Sequence, residues 1–170
     1  MLNLIIGGAG SGKSAFAEKL VCTLPGRRVY LATMTATDQE SLERIQKHRV
    51  QRSGLGFETL EHGMDLAGAS LPQGANVLLE DLSNLLANEM FNKAGGGLDA
   101  VRDGLKALHS RCRSLTVVSN DIFSDGVQYG EEVQEYIRNL AELNRMLAAD
   151  ADLVVEIVSG LPNVLKGELP

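Results

Sequence analysis

The chain has 170 residues, of which 44% are apolar and 22% charged, and its formal net charge is -6. These values fit one globular domain, so we expect a single domain over residues 1–170. The acidic balance argues against a broad nucleic-acid-binding surface, and no apolar run is long enough to span a bilayer. Since no signal peptide precedes the first apolar run, we expect a cytoplasmic protein. Cys22 and Cys112 lack a metal-binding spacing, which predicts buried free thiols.

A glycine-rich segment near the start carries the strongest chemical signal. It follows the apolar run 2–6, a predicted strand, and leads into residues 14–24, a predicted helix. The segment matches the pattern G-x-x-x-x-G-K-[ST] with Gly7, Gly8, Ala9, Gly10, Ser11, Gly12, Lys13 and Ser14. Such a loop surrounds phosphates with backbone N–H groups, while Lys13 can reach the β- and γ-phosphates and Ser14 can offer its hydroxyl to Mg²⁺. We therefore predict a nucleoside triphosphate site in which Lys13 is catalytic.

The next two predicted elements are a strand whose end could contact the nucleotide and a helix. Residues 29–33 predict a strand, and because ligands in open α/β sheets bind at the carboxyl ends of strands, Ala32 and Thr33 are placed near the nucleotide. A capping box predicts a helix over residues 37–52.

That helix carries a cationic stripe. Arg44, His48 and Arg52 recur every four residues, and Arg49 lies beside them. A solvated helix face is the ordinary interpretation of such a stripe. Beside a phosphate site, however, the arginines match phosphate oxygens and disfavour the charged imidazolium. A neutral His48 could then attack a phosphorus atom. His62 and His109 have no such neighbouring arginines, so we interpret them as surface residues.

An acidic strand end supplies the predicted metal ligand. Residues 77–81 form an apolar run that ends in Glu80 and Asp81, the arrangement in which a Walker-B carboxylate holds Mg²⁺ or its water. Either acid could serve, and Asp81 could instead cap the helix that follows. We assign Ser14 and Glu80 to the metal, with Asp81 as the alternative to Glu80.

The remaining patterns complete an α/β fold. Alternating strands and helices predict a mostly parallel sheet covered on both faces, and residues 122–130 form a loop that could close over an acceptor substrate. The other predicted elements are a strand at 57–61, a short helix at 64–71, helices at 82–93 and 98–112, a strand at 115–119, a helix at 131–149, a strand at 153–158 and an antiparallel edge piece at 164–165.

Several further segments, taken with the glycine loop, resemble one family. They are Tyr30-Leu31-Ala32-Thr33, Arg44-Ile45 with His48-Arg49 and Arg52, Phe57, Thr59 and Glu61, Leu79-Glu80 with Leu82-Ser83 and Asn88, Val118-Ser119-Asn120, and Asn144, Ala148, Ala151-Asp152 and Val158-Ser159-Gly160-Leu161-Pro162. This combination resembles the bifunctional adenosylcobinamide kinase / adenosylcobinamide-phosphate guanylyltransferase family of cobalamin biosynthesis. The chain departs from the family pattern at Gly10 and at residues 121–128 and 134–139, where the corrinoid acceptor is expected.

The resemblance implies a RecA-like P-loop NTPase core, a homotrimer and two reactions. In the first, a nucleoside triphosphate, ATP or GTP, phosphorylates adenosylcobinamide. In the second, GTP donates GMP to adenosylcobinamide phosphate through a guanylylated histidine, which His48 matches. It also implies nucleotide contacts from Arg49, Arg52, Glu61 and Glu80, with Mg²⁺. A plain P-loop small-molecule kinase or a guanylyltransferase alone is the alternative. A non-enzymatic nucleotide switch or RecA-type motor is less favoured, and the acidic balance argues against the basic DNA-binding face that a motor needs.

Overall fold

The computed structural model describes residues 1–35, 46, 50, 52, 54–122 and 129–170. Within these ranges the structure has seven strands, four helices and a 3-10 turn at Leu66–Gly68. The elements are β1 (Leu2–Gly7), α1 (Lys13–Cys22), β2 (Arg28–Ala32), β3 (Phe57–Glu61), β4 (Asn76–Glu80), α2 (Leu82–Phe91), α3 (Gly97–Arg111), β5 (Ser114–Asn120), α4 (Glu131–Asp150), β6 (Leu153–Val158) and β7 (Leu161–Lys166).

The described strands form one sheet in the order β3-β2-β4-β5-β1-β6-β7. Every neighbouring pair is parallel except β6 and β7. The predicted mostly parallel sheet is therefore confirmed, with β7 as its antiparallel edge. Because the strands are parallel, the carboxyl ends of β1, β2, β3 and β4 lie along one side of the sheet. The glycine loop and the acidic strand end thus share that side.

Helices cover both faces of the sheet, as predicted. On one face α1 buries Ala17, Leu20 and Val21 against the sheet residues Ile5 and Leu78. On the other face α2, α3 and α4 pack against the sheet, and their fully or nearly fully buried residues are Leu82, Leu85, Leu86, Val101, Leu105, Leu108, Leu140, Leu143 and Leu147. Strands buried on both faces explain the continuous apolar runs that first marked them in the sequence.

The predicted short helix at 64–71 is wrong beyond one turn. The structure has only the 3-10 turn Leu66–Gly68 there. The side chain of Arg111, at the end of α3, donates to the backbone carbonyls of Leu66 at 3.0 Å and Ala69 at 3.1 Å. Carbonyls that an arginine satisfies need no further helical turn, and this partner lies more than 40 residues away in the sequence.

Other boundaries differ less. The edge piece expected at 164–165 is the complete strand β7, and β4 ends at Glu80, so that Asp81 is the N-cap of α2. Both cysteines are free, as predicted, and are half-buried rather than buried. The predicted helix 37–52 and the loop 122–130 lie largely outside the described residues. In the part of the chain that the structure describes, no helix has the length and apolar character that crossing a bilayer requires.

Candidate active site

The glycine loop joins β1 to α1 in a conformation that needs its glycines. Gly12, the N-cap of α1, has φ of 93°, in the left-handed region where a side chain is strained. A Cβ on Gly7 would lie 2.6 Å from the Ser11 hydroxyl oxygen and 2.7 Å from the carbonyl oxygen of Ile157. The first N–H groups of α1 have no partner within the helix, so the loop presents donors and the positive end of a helix dipole to an anion.

Lys13 supplies the positive charge of this loop. Its side chain is 8% exposed, and its ammonium donates to the carbonyl oxygen of Gly8 at 3.1 Å. The ammonium therefore lies across the mouth of the loop whose backbone would surround a phosphate. Such a placement suits an ammonium that stabilises charge on phosphate oxygens.

Ser14 and Glu80 come together as the sequence predicts for a metal site. The Ser14 hydroxyl donates to Oε1 of Glu80, and the other oxygen, Oε2, is buried and has no hydrogen-bond partner. Burial, with a smaller contribution from the nearby Asp81 carboxylate, raises the pKa of Glu80 to about 7 against the opposing effects of the Ser14 hydrogen bond and Lys13. A hydroxyl beside a carboxylate with an unused oxygen is the oxygen donor set that Mg²⁺ prefers, so these residues fit the ion.

Asp81, the alternative ligand, is occupied elsewhere. Its Oδ1 accepts hydrogen bonds from the backbone N–H of Asn84 and the hydroxyl of Ser83, both at 2.7 Å. Its Oδ2 accepts a bond from the Asn120 amide at 3.2 Å. Asp81 thus caps α2 and joins it to the end of β5, which favours Glu80 as the metal ligand.

Three predicted nucleotide contacts lie at neighbouring strand ends. In the sheet register, Ala32 pairs with Glu61 on one side and with Glu80 on the other, so these residues stand in one row. Glu61 is exposed, whereas Thr33 is fully buried. The Thr33 hydroxyl donates to the backbone carbonyl oxygen of Asp81 and accepts a bond from the Asp81 backbone N–H, both at 2.7 Å. Thr33 therefore fastens β2 to the start of α2 rather than presenting its side chain at the surface.

Arg52 is the one member of the predicted cationic stripe within the described residues. Its guanidinium lies over the ring of Tyr30, with Cζ 3.4 Å from the ring centroid. The residue is 6% exposed, and its Nε and Nη1 are buried without hydrogen-bond partners. A buried guanidinium with two nitrogens that lack hydrogen-bond partners is expected where an arginine binds an anionic ligand. Arg44, His48 and Arg49 lie outside the described residues.

Glu18 is a residue to which the sequence analysis gave no role. It lies one helical turn after Ser14 in α1 and is nearly buried. Burial raises the pKa of Glu18, and the positive charge of Arg52 lowers it. Its i+4 spacing from Ser14 is the signal that could have drawn attention to it.

The turn between β6 and β7 was also missed as a support of the glycine loop. The backbone N–H of Gly160 donates to the carbonyl oxygen of Ser11 at 2.8 Å. His62, expected at the surface, is half-exposed, and its Nε2 lies 2.7 Å from the carbonyl oxygen of Asp65. His109 is half-exposed near the end of α3.

A strand, a glycine loop with lysine and serine, and a helix, beside an acidic end of a parallel strand, define the class of P-loop nucleotide-binding proteins. The family model described as cobinamide kinase / cobinamide phosphate guanyltransferase matches residues 3–165. The chain therefore belongs to the cobinamide kinase / cobinamide phosphate guanyltransferase family. This confirms the family, the α/β P-loop fold and the transferase class that the sequence predicts.

Curated relatives are similar over nearly their whole length. The bifunctional adenosylcobalamin biosynthesis protein CobP of Pseudomonas aeruginosa is 34% identical, and the match covers 99% of each chain. The proteins named bifunctional adenosylcobalamin biosynthesis protein CobU in Salmonella typhimurium and Escherichia coli are 31% and 29% identical, and each match covers 95% of this chain and 97% of the relative.

Proposed function

We propose that this chain catalyses both reactions in the family's name. It phosphorylates the hydroxyl of adenosylcobinamide with a nucleoside triphosphate, then transfers GMP from GTP to the resulting phosphate to give adenosylcobinamide-GDP. The observation that carries the proposal is the joining of Ser14 to Glu80 beside the Lys13 loop, in a chain that matches the family along residues 3–165. This arrangement serves any transfer that breaks a phosphoanhydride bond of a bound nucleoside triphosphate.

In the kinase step, the substrate hydroxyl attacks the γ-phosphorus of the nucleotide. A new P–O bond forms, the bond to the β-phosphate oxygen breaks, and the hydroxyl proton is released. Lys13 and the loop N–H groups hold the phosphate oxygens in line and balance their charge. Bound Mg²⁺, held by Ser14 and Glu80, would neutralise charge on the phosphate oxygens and the leaving group.

In the guanylyl step, His48 is the proposed nucleophile. Its neutral imidazole attacks the α-phosphorus of GTP, a P–N bond forms, the α–β bond breaks, and pyrophosphate leaves. An oxygen of adenosylcobinamide phosphate then attacks the same phosphorus, the P–N bond breaks, and His48 is regenerated. Arg49 and Arg52 are proposed to hold the phosphate charge, and Ala32 and Glu61 to line the nucleotide side of the sheet, where Thr33 contributes through its backbone.

Product identification tests the proposal directly. The protein is incubated with Mg²⁺ and GTP, together with either adenosylcobinamide or its phosphate, and corrinoid products are identified by mass spectrometry. We expect adenosylcobinamide-GDP and pyrophosphate from both substrates, together with free GDP from the kinase step when adenosylcobinamide is the substrate. Phosphorylation without any GDP product would instead indicate a plain kinase, a GDP product from the phosphate alone would indicate a guanylyltransferase only, and no product from either would overturn the proposal.

The assembly is proposed from the family resemblance. We propose a cytoplasmic homotrimer that acts on small molecules and binds no nucleic acid, consistent with the net charge of -6. Sedimentation of the purified protein at assay concentrations measures the number of copies.

A further inference from the structure

The side chain of Asn88 joins two segments that leave the sheet at its nucleotide side. Asn88 lies in α2, and its Nδ2 donates to the carbonyl oxygens of Thr33 at 2.8 Å and Gly63 at 3.0 Å. Its Oδ1 accepts a bond from the Thr35 hydroxyl at 3.2 Å. One amide thus holds the residues that follow β2 and the residues that follow β3.

This contact begins where the sheet hydrogen bonds end. The β2–β3 register stops at the pair Ala32 and Glu61, and the backbone N–H of His62 makes a last bond to the carbonyl oxygen of Ala32 at 2.9 Å. Beyond that point the backbone carbonyls of Thr33 and Gly63 accept hydrogen bonds from the Asn88 side chain instead of from a neighbouring strand. Since buried backbone carbonyls are nearly always satisfied, the amide fixes where both segments run.

Asn88 acts at a distance from the phosphate-binding loop. Strands β4 and β5 separate β2 from β1, so at the usual spacing of neighbouring strands the end of β2 lies roughly 14 Å from the strand that leads into the loop. The loop has its own support after β6, where the backbone N–H of Gly160 donates to the carbonyl oxygen of Ser11. The Asn88 contacts therefore lie on the β2 and β3 side of the phosphate cradle, and the two meet at Glu80, whose backbone carbonyl accepts the Thr33 N–H at 3.0 Å and whose carboxylate accepts from Ser14.

We propose that Asn88 is a positioning residue for the nucleoside part of the bound nucleotide. Because Ala32 and Glu61 are proposed nucleotide contacts, a nucleotide whose phosphates occupy the glycine loop would extend along the strand ends towards β2 and β3. Asn88 sets the backbone that carries Ala32 and Glu61 into position to meet the nucleoside. The inference rests on the proposed function, because it takes those strand ends to be the nucleotide-binding side.

The amide is the group that the position requires. It donates two hydrogens to carbonyls and accepts one from a hydroxyl, whereas a carboxylate of the same shape has only acceptors. In Asn88→Asp both carbonyl contacts become repulsive while the Thr35 contact remains, so the backbone after β2 and β3 should shift without a change of side-chain volume.

The test compares two ligands that share phosphates but differ in the nucleoside. Binding of GTP and of inorganic triphosphate, each with Mg²⁺, is measured by calorimetry for the wild type and for Asn88→Asp. Asn92→Asp is the matched control, because it places the same charge four residues further along, on an exposed side chain that uses only its acceptor oxygen. Thermal unfolding of each variant is recorded beside the binding data.

The expected result is a loss of GTP affinity of about tenfold in Asn88→Asp, with inorganic triphosphate binding within about twofold of the wild type. Asn92→Asp should bind both ligands as the wild type does. Equal losses for both ligands, or GTP binding equal to that of Asn92→Asp, would overturn the inference. Wild-type protein that binds triphosphate but not GTP would instead count against the proposed function.

A second variant decides the matter if Asn88→Asp does not fold. Thr35→Val removes only the hydroxyl that bonds Oδ1 of Asn88, at an exposed position, and keeps the side-chain volume. We expect a smaller loss of GTP affinity, about threefold, again without a loss for inorganic triphosphate. Thr35→Val protein that binds GTP as tightly as the wild type would contradict the positioning role.

Discussion

At the scale of single residues, three buried polar side chains carry atoms that have no hydrogen-bond partner among the described residues. Oε2 of Glu80, the hydroxyl of Ser11 and two nitrogens of Arg52 are buried without partners. A buried polar group left unsatisfied costs about 1–3 kcal/mol of folding stability. The Ser11 hydroxyl lies in the glycine loop, Glu80 faces Ser14 and Arg52 lies over Tyr30 of β2, and a hydroxyl, a carboxylate and a cation are groups that a nucleotide and its metal ion can satisfy.

Glu80 should make the metal-free protein less stable as the pH rises. Its pKa is about 7 in the folded chain, against an ordinary value of 4.5, because burial disfavours the charge. The folded protein thus holds the proton more tightly than the unfolded chain does. Its contribution to stability is complete below pH 4.5 and is lost as the pH rises through about 7.

Glu80→Gln keeps an uncharged group at this position. In chelator at pH 8 we expect its free energy of unfolding to exceed that of the wild type by on the order of 2 kcal/mol, and the gap should close near pH 5. Denaturant unfolding at both pH values measures the difference. A gap of the same size at both would contradict the assignment of this titration to Glu80.

Lys13 should contribute directly to nucleotide binding. Lys13→Met removes the ammonium beside the glycine loop, and we expect GTP affinity to fall about 10- to 100-fold, the value of a lost charge-assisted contact. Lys19→Met, at an exposed position of the same helix, is the control and should bind as the wild type does. Calorimetry measures both, and equal affinities for the two variants would remove Lys13 from the site.

Stacking on the ring of Tyr30 should hold the Arg52 guanidinium in the position in which it is proposed to bind phosphate. Stacking of a guanidinium on a buried ring is worth about 0.5–2 kcal/mol, so Tyr30→Leu should weaken GTP binding roughly threefold to thirtyfold. Tyr30→Phe keeps the ring and should restore binding to within about twofold of the wild type. The measurement is GTP affinity alongside thermal unfolding. Loss of binding in Tyr30→Phe as large as in Tyr30→Leu would show that the stack is not what matters.

At the scale of elements, the site depends on how helices start. Helix α1 begins at the phosphate-binding loop, and α2 begins at Asp81, directly after the carboxylate that faces Ser14. The two adjacent acids therefore have different structural roles, since Glu80 bonds to Ser14 and Asp81 is the N-cap of α2. Their adjacency in sequence hides this division, because residue type alone cannot tell which acid lies at the end of a strand and which begins a helix.

Asp81→Ala tests helix capping by Asp81 separately from the proposed metal binding by Glu80. Loss of the N-cap should lower the free energy of unfolding by about 1–2 kcal/mol, while Mg²⁺-dependent GTP binding at low temperature survives. Glu80→Gln should show the reverse, with metal-dependent binding weakened and the cap intact. Unfolding curves and Mg²⁺ titrations of GTP binding measure the two effects. Mg²⁺ dependence lost in Asp81→Ala and kept in Glu80→Gln would exchange the roles.

The elements that the sequence predicted well are those whose signal is local. Apolar runs predicted the strands, and the glycine loop predicted the junction of β1 and α1 together with Lys13 and Ser14. The segment 64–71 was mispredicted because Arg111 satisfies its carbonyls from a distant helix. The roles of Asn88 and Tyr30 were equally hidden, since each acts on residues distant in sequence.

At the scale of the whole molecule, the site is a row of strand ends that parallel topology brings together. The loop after β1 presents backbone donors for the proposed phosphate contacts, the end of β4 holds Glu80, and the ends of β2 and β3 hold Ala32 and Glu61. Chain order could not give this arrangement, because β4 and β5 lie between β1 and β2 in the sheet. The family resemblance gave the same residues without their geometry.

The central claim is that this row of strand ends presents the α-phosphorus of GTP to His48. The most direct measurement incubates the protein with Mg²⁺ and GTP labelled at the α-phosphate, then follows protein-bound label through acid and alkali. We predict label that is stable in alkali, is released by acid and is absent from His48→Ala, with no label from γ-labelled GTP. Equal α-label on His48→Ala and the wild type would contradict the account.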